Sequence, residues 1–315
     1  MKKIILVLAA GIILSSCHKD NTNIDKHNFS LQEKAAVSVS TKDQTGYQFQ
    51  ALDVPSAWGD NTSAFGNNNT GKVVGNYVTT NGEIHGFIFE NGQFTDVFLP
   101  EADKDNRGGL TDINDQDIAI GSFNYPKKID KNKITHSFKR DANGVITILP
   151  DALPGALQTE AVGININGTI VGFYQDALAP RHGFILSNAI YTTYDKPNAT
   201  RTLLTDINNQ GKIVGYYRDI NNIARGFILF NSITEDVIFP ASIHTKVHSI
   251  NNAGQIVGEY IDASGISHGF LYHNGNYRTL DFPGAFGTAL LGINENGVIV
   301  GTYNGYSRGL IATPN

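Results

Sequence analysis

Four histidines, His85, His136, His182 and His268, occupy one repeated position in a chain of 315 residues, with Arg225 and Arg308 in the same place twice more. Imidazole is the commonest transition-metal ligand, so such a set invites a metal centre. Equivalent positions in a repeat are spread around its axis, which holds neighbouring imidazoles too far apart to share one ion. A hydrogen bond inside each repeat is the expected role, and no metal or cofactor is expected. Asp112 and Asp206 each precede a recurring Ile-Asn pair, and paired carboxylates are the machinery of glycosidases. Gly163, Ser249 and Gly292 fill that place in other repeats, so the charge is dispensable and a scaffold role is expected. The Asn of Ile-Asn itself (Asn114, Asn165, Asn208, Asn251, Asn294) reads as turn chemistry.

Other signals are missing. The sequence holds no HExxH, no GxSxG, no Gly-Lys-Ser/Thr phosphate loop, no sialidase-type Asp-box and no Asp/Asn-rich calcium loop. Cys17 is the single cysteine, which excludes an intrachain disulfide framework, a multi-thiolate metal site and a CxxC pair. An enzyme is not thereby excluded, since catalytic residues can come from separate repeats.

The elements that must position these residues are set by a repeat. The phrase Ile207-Asn208-Asn209-Gln210-Gly211-Lys212-Ile213-Val214-Gly215-Tyr216-Tyr217 has five further copies, ending at Tyr77, Phe123, Tyr174, Tyr260 and Tyr303. Successive copies lie 46, 51, 43, 43 and 43 residues apart, the period of four-stranded propeller blades. Each unit reads as four strands. A first strand leads to Ile-Asn, and Asn-x-x-Gly supplies a tight turn. Val-Gly-x-Tyr forms the second strand, its Gly permitting close backbone approach. The third, such as Gly226–Phe230, is continuously apolar and should be buried on both faces. Asn91-Gly92 and Asn274-Gly275 look like type I′ turns into the fourth.

Tyr47–Pro55 matches the fourth-strand phrase Tyr277–Pro283, whereas the chain stops after its last third strand. The N-terminus therefore holds the strand that the last unit lacks. Pairing these ends removes two exposed edges. The expectation is an all-β fold over 45–315, a six-bladed β-propeller of four-stranded blades, closed by N-terminal strand pairing with the C-terminal blade.

Residues 1–16 read as a signal peptide, with Lys2 and Lys3 ahead of an apolar run from Ile4 to Leu14 that is too short to span a bilayer. Leu14-Ser15-Ser16-Cys17 resembles the lipobox of bacterial lipoproteins, in which the Cys becomes the lipidated N-terminus. His18-Lys19-Asp20 is similar to the short charged tag of surface-exported Bacteroidetes lipoproteins. These resemblances imply lipidation of Cys17, a polar flexible tether over 17–44, and anchoring at the outer membrane or cell surface, with the membrane met through the lipid alone. Loss of residues 1–16 leaves 22 basic residues against 29 acidic ones, a formal charge of −7. Nucleic acid is therefore a poor partner.

His85-Gly86-Phe87-Ile88-Phe89-Glu90-Asn91-Gly92, with Thr95-Asp96-Val97 and the later Ile-Asn-x-x-Gly phrase, resembles the extracellular HAF repeat. That resemblance covers about residues 46–315. It implies the fold and an extracytoplasmic address, and brings no reaction with it.

Specificity is expected where the repeat breaks its own rule. Loops from fourth to first strand carry Trp58, Arg107, His244 and Phe286, and Trp58 beside Asp60 and Asn61 would suit stacking on a sugar. Candidate ligand-binding residues are thus Trp58, Asp60, Arg107, His244 and Phe286. Residues 125–133 hold four lysines and form a basic insertion. The expected function is a binding or interaction module with a carbohydrate or protein ligand at the channel mouth, more readily than an enzyme. The alternative is a carbohydrate-active hydrolase or lyase drawing acids such as Asp60, Asp103 and Asp105 from the mouth loops.

Overall fold

A computed structural model describes residues 41–42, 46–56, 58–99, 108–124, 135–177 and 180–315. Cys17, Asp103, Asp105, Arg107 and the insertion 125–133 lie outside them. Every regular element among the described residues is a β-strand.

One unit shows how the sequence makes the fold. Strands Arg201–Ile207, Ile213–Arg218, Ala224–Phe230 and Ile233–Val237 pair antiparallel in chain order. Asn208 turns the first hairpin: its Oδ1 accepts the amides of Gln210 (3.1 Å) and Lys212 (2.9 Å). The third-to-fourth turns are left-handed at both residues, with φ of 51° and 79° at Asn91-Gly92 and 50° and 82° at Asn274-Gly275, as a type I′ turn requires. The glycine of Val-Gly-x-Tyr is demanded by contact: a Cβ on Gly75 would stand 1.9 Å from the Ser63 carbonyl oxygen and 2.9 Å from the Phe87 ring.

The core is a series of layers between consecutive units. Phe227 and Leu229 pack with Val171 of the preceding unit, whereas Ile228, on the opposite face of the same strand, packs with Val247 and Phe270 of the following one. The apolar third strand therefore serves two cores, which is why it does not alternate. One such layer sets Val300 of the last unit against Val73 and Phe87 of the first.

Tyr47–Leu52 pairs antiparallel with Arg308–Pro314, Tyr47 opposite Pro314 and Leu52 opposite Gly309. Two details differ from the sequence reading. Thr41–Lys42, inside the segment read as tether, pairs with Phe49 and Gln48 and extends this sheet to five strands. The second and third units are not separate sheets: Thr135 and Gln158 pair in parallel and fuse them into one of eight strands.

Candidate functional site

Asn68, Asn114, Asn165, Asn208, Asn251 and Asn294 do more than turn hairpins. Each Nδ2 donates to the backbone carbonyl of the next: Asn68 to Asn114 (3.1 Å), Asn114 to Asn165 (3.0 Å), Asn165 to Asn208 (3.3 Å), Asn208 to Asn251 (3.2 Å) and Asn251 to Asn294 (3.1 Å). Asn294 returns to Asn68 at 2.9 Å. Just outside this circuit a second one links turn tips: Asn69 N–H to Asp115, Ile166 to Asn209, Asn209 to Asn252, Asn252 to Glu295 and Glu295 to Asn69, at 2.8–3.0 Å. It lacks the link from Asp115 to Ile166, whose side chain has no oxygen. Together they floor a central channel, enclosing only about 70 Å³.

Above the floor lie Gly66, Asp112, Gly163, Asp206, Ser249 and Gly292. This level is tight: a Cβ on Gly66 would meet Asp112 Oδ1 at 2.5 Å, and one on Gly163 would meet Asp206 Oδ1 at 2.9 Å. Asp112 accepts the amides of Ile113 (2.8 Å) and Ile164 (2.9 Å), and Asp206 those of Ile207 (2.7 Å) and Ile250 (2.9 Å) with the Ser249 hydroxyl (2.6 Å). Burial raises both carboxyls, and the Asp206 charge lifts Asp112 further. These acids staple one unit to the next.

Over them the channel widens into a cavity of about 420 Å³. Two rows of side chains shape its wall. One is the x of Val-Gly-x-Tyr, which puts Asn76, Ser122, Phe173 and Tyr216 on the wall, whereas Glu259 and Thr302, at the same place in the last two units, stand off it. The other comes from a β-bulge in each first strand, at Phe65, Thr111, Val162, Thr205, His248 and Leu291. A bulge re-aims the extra side chain, here toward the axis. Sequence reasoning missed both rows. The signal was present: within an otherwise repeated phrase, these positions do not repeat.

The strongest charge cluster beside the cavity centres on Glu259, 2% exposed. Its carboxylate accepts from Lys246 Nζ (2.5 Å), the Tyr306 hydroxyl (2.6 Å) and Ser267 Oγ (3.1 Å). His248 Nε2 stands 3.8 Å away, and is buried without a hydrogen-bond partner. Burial would push the Glu259 carboxyl up, but His248 and the Lys246 ammonium outweigh it and hold it far below the usual carboxylate range. Burial and Glu259 together push the Tyr306 phenol well above its ordinary value.

The residues singled out by sequence are not assembled into one site. Trp58 is a correction: it is 9% exposed and packs on Tyr77 and Phe94 in the core, because the loop folds inward over its blade, so it offers no stacking face. Asp60 is in the strand Gly59–Asn67, its backbone paired with Val78. His244 Nδ1 accepts the Ala224 amide at 3.1 Å, and burial with the charges of Arg218 and Lys246 lowers its pKa, consistent with a neutral structural acceptor. Phe286 is 73% exposed and lines a groove beside the cavity.

The repeated histidines bond within their units: His85 Nδ1 to Asp96 (2.9 Å), His136 to Asp151 (3.0 Å), His182 to Asp195 (2.8 Å) and His268 to Asp281 (2.7 Å). Among the described residues, no three His, Cys, Asp or Glu side chains are grouped to hold a metal ion. Burial alone would lower His85 and His268, but Asp96 and Asp281 outweigh it and raise both. A raised imidazole stabilises the fold below its unfolded pKa and loses that contribution as pH rises through its folded value. Between about pH 6 and pH 8 the melting temperature should therefore fall, and more steeply than in His268→Gln. Equal slopes in thermal melts would contradict the assignment.

Repeated antiparallel units around a shared channel define an all-β, β-propeller-like protein. A family model described as a protein of unknown function (DUF3466) matches residues 183–281. Among solved structures, a gluconolactonase from Xanthomonas campestris is similar at a TM-score of 0.53, with 9% identity over 89% of this chain and 96% of that one. A mutant of AofleA from Arthrobotrys oligospora gives 0.51, with 13% identity over 84% and 86%. A six-bladed β-propeller lectin from Aleuria aurantia gives 0.47, with 8% identity over 79% and 95%. The first two bear on fold alone. A search of curated proteins found no match.

Proposed function

We propose that the protein is a lipid-anchored, extracytoplasmic six-bladed β-propeller that binds a carbohydrate in its central cavity. Six-fold closure is supported by the strand pair Tyr47–Leu52 with Arg308–Pro314 and by the return of the asparagine circuit from Asn294 to Asn68. Anchoring through Cys17 rests on its place behind an apolar signal-like run.

One observation carries the binding reading: the 420 Å³ cavity is walled by the two rows of residues that vary in a scaffold otherwise built by repetition. Its volume falls within the range of about 300–1,000 Å³ typical of small-molecule sites. Tyr216 offers aromatic surface beside Glu160, His248 and Asn76, the combination that takes the C–H face and hydroxyls of a sugar. A purely structural channel would have no use for side chains that vary so widely from unit to unit. The hydrolase alternative draws on one feature, the raised carboxyl of Asp112 on the cavity floor, since a general acid needs such a shift. Against it, both Asp112 oxygens are committed to backbone amides.

The test is a glycan-array screen of the Cys17→Ala chain, which is expected to leave the membrane fraction and to bind saccharides through the cavity. Loss of that binding in Tyr216→Ala with an unchanged melt is the expected result; an empty array, or retention in membranes, overturns the corresponding half of the proposal. Release of reducing ends by the native chain, abolished in Asp112→Asn, would establish the hydrolase instead.

A further inference from the structure

The connection between second and third strands is shortened in the last unit. Tyr217 to Arg225 and Tyr260 to His268 span eight residues, Tyr303 to Arg308 only five. Three consecutive residues of that short loop, Asn304, Gly305 and Tyr306, adopt left-handed φ of 54°, 72° and 67°. A tyrosine there is uncommon and is tolerated only when its surroundings hold it. The Tyr306 hydroxyl donates to Glu259 of the preceding unit, and its carbonyl accepts from Ser63 Oγ of the first at 3.3 Å. The side chain is thus pinned by its tip while the residue stays 44% exposed.

Tyr306 lines the central cavity on one side and, on the other, a groove of about 250 Å³ between the last two units. Phe286 lines that groove too, 73% exposed, its amide donating to Asn304 Oδ1 at 3.1 Å. A bare phenylalanine that its own loop holds in place is costly in water and useful as a platform. The same groove is lined by Thr302, 1% exposed, whose hydroxyl has no hydrogen-bond partner in the structure. An unsatisfied buried hydroxyl is unfavourable and gains most when an incoming group meets it. Ser267 and Thr288 add hydroxyls to the same walls.

Resting on the carbohydrate reading of the cavity, we infer that the ligand is an oligosaccharide bound end-on: its terminal ring occupies the cavity, and the next ring lies in the groove. The chain passes over Tyr306, stacks on Phe286 and hydrogen-bonds Thr302. A channel floored by hydrogen-bonded asparagines admits a chain end and no through-passage, so the groove is the way by which a longer saccharide leaves the cavity.

The experiment is calorimetric titration of the Cys17→Ala chain with methyl glycosides of glucose, galactose, mannose and N-acetylglucosamine and with their β-linked di- and tetrasaccharides. Affinity should rise at least tenfold from monosaccharide to disaccharide for the sugar recognised. Phe286→Ala should collapse the tetrasaccharide affinity to that of the monosaccharide, while Ile220→Ala, an exposed residue remote from both pockets, leaves the series unchanged. Equal affinity for one ring and four, or a gain that survives Phe286→Ala, overturns the two-subsite arrangement and leaves the cavity reading standing. No binding by any member of the series overturns the carbohydrate reading itself.

Discussion

Replacing Glu259 with alanine is expected to cost about 3 kcal/mol of stability, because removing one partner of a buried ion pair leaves the other uncompensated. Lys246 would lose its counter-charge and Tyr306 its acceptor, whereas Ser267 keeps the Thr288 carbonyl. Lys246 keeps some access to water, which places the effect at the lower end of the range for buried pairs. Glu259→Gln retains an acceptor for the Tyr306 hydroxyl and should lose less. The pH dependence gives an independent check. The folded pKa of Glu259 is depressed, so its contribution is present above its unfolded value of about 4.3 and drains away as pH falls toward the folded value. Denaturant melts should therefore show an acid limb in the native chain that flattens in Glu259→Ala; parallel limbs would show that the carboxylate is not held in this way.

Gly75→Ala should be comparably damaging for a different reason. Its Cβ would lie 1.9 Å from the Ser63 carbonyl oxygen and 2.9 Å from two atoms of the Phe87 ring, which is itself fully buried. A flexible side chain could swing aside, but the nearest obstacle is backbone of a paired strand. Relief requires the first and second strands of the unit to part, and overpacking of this kind costs about 3 kcal/mol. Gly71→Ala is the contrast, since nothing lies within 4 Å of its Cβ position and only its φ of 90° is unfavourable. Its loss should be about 1 kcal/mol. Equal melts for the two variants would refute the packing account.

Much of this architecture is written in local chemistry, which is why it can be read from sequence. Asn-Gly turns answer to a requirement within a few residues of themselves, and the second-strand glycine and the apolar third strand leave composition signals that recur in each unit. The histidine was likewise legible as a hydrogen-bonding group, although Asp96, in the Thr95-Asp96-Val97 phrase, was not recognised as its partner. The cavity wall was hidden because a bulge breaks the alternation that tells which face a side chain takes. Around the bulge Ser249 and Ile250 are buried in succession, so the alternation that would assign His248 to the channel is lost two residues later. Trp58 was misjudged because its cover, Tyr77 and Phe94, comes from strands that follow it in the blade. Asparagine was assigned a turn and does make one, but its second duty to the next unit depends on a neighbour 43 to 51 residues away.

The missing link between Asp115 and Ile166 falls at the junction of the second and third units, the same junction at which Thr135 and Gln158 join two sheets near the channel mouth. This joint is therefore fastened differently from the others, with one tie fewer at the bottom and one more at the top. Local opening at this joint is therefore expected to begin at the base, where the Asn114-to-Asn165 bond holds it without a companion from the outer circuit, and to spare the rim.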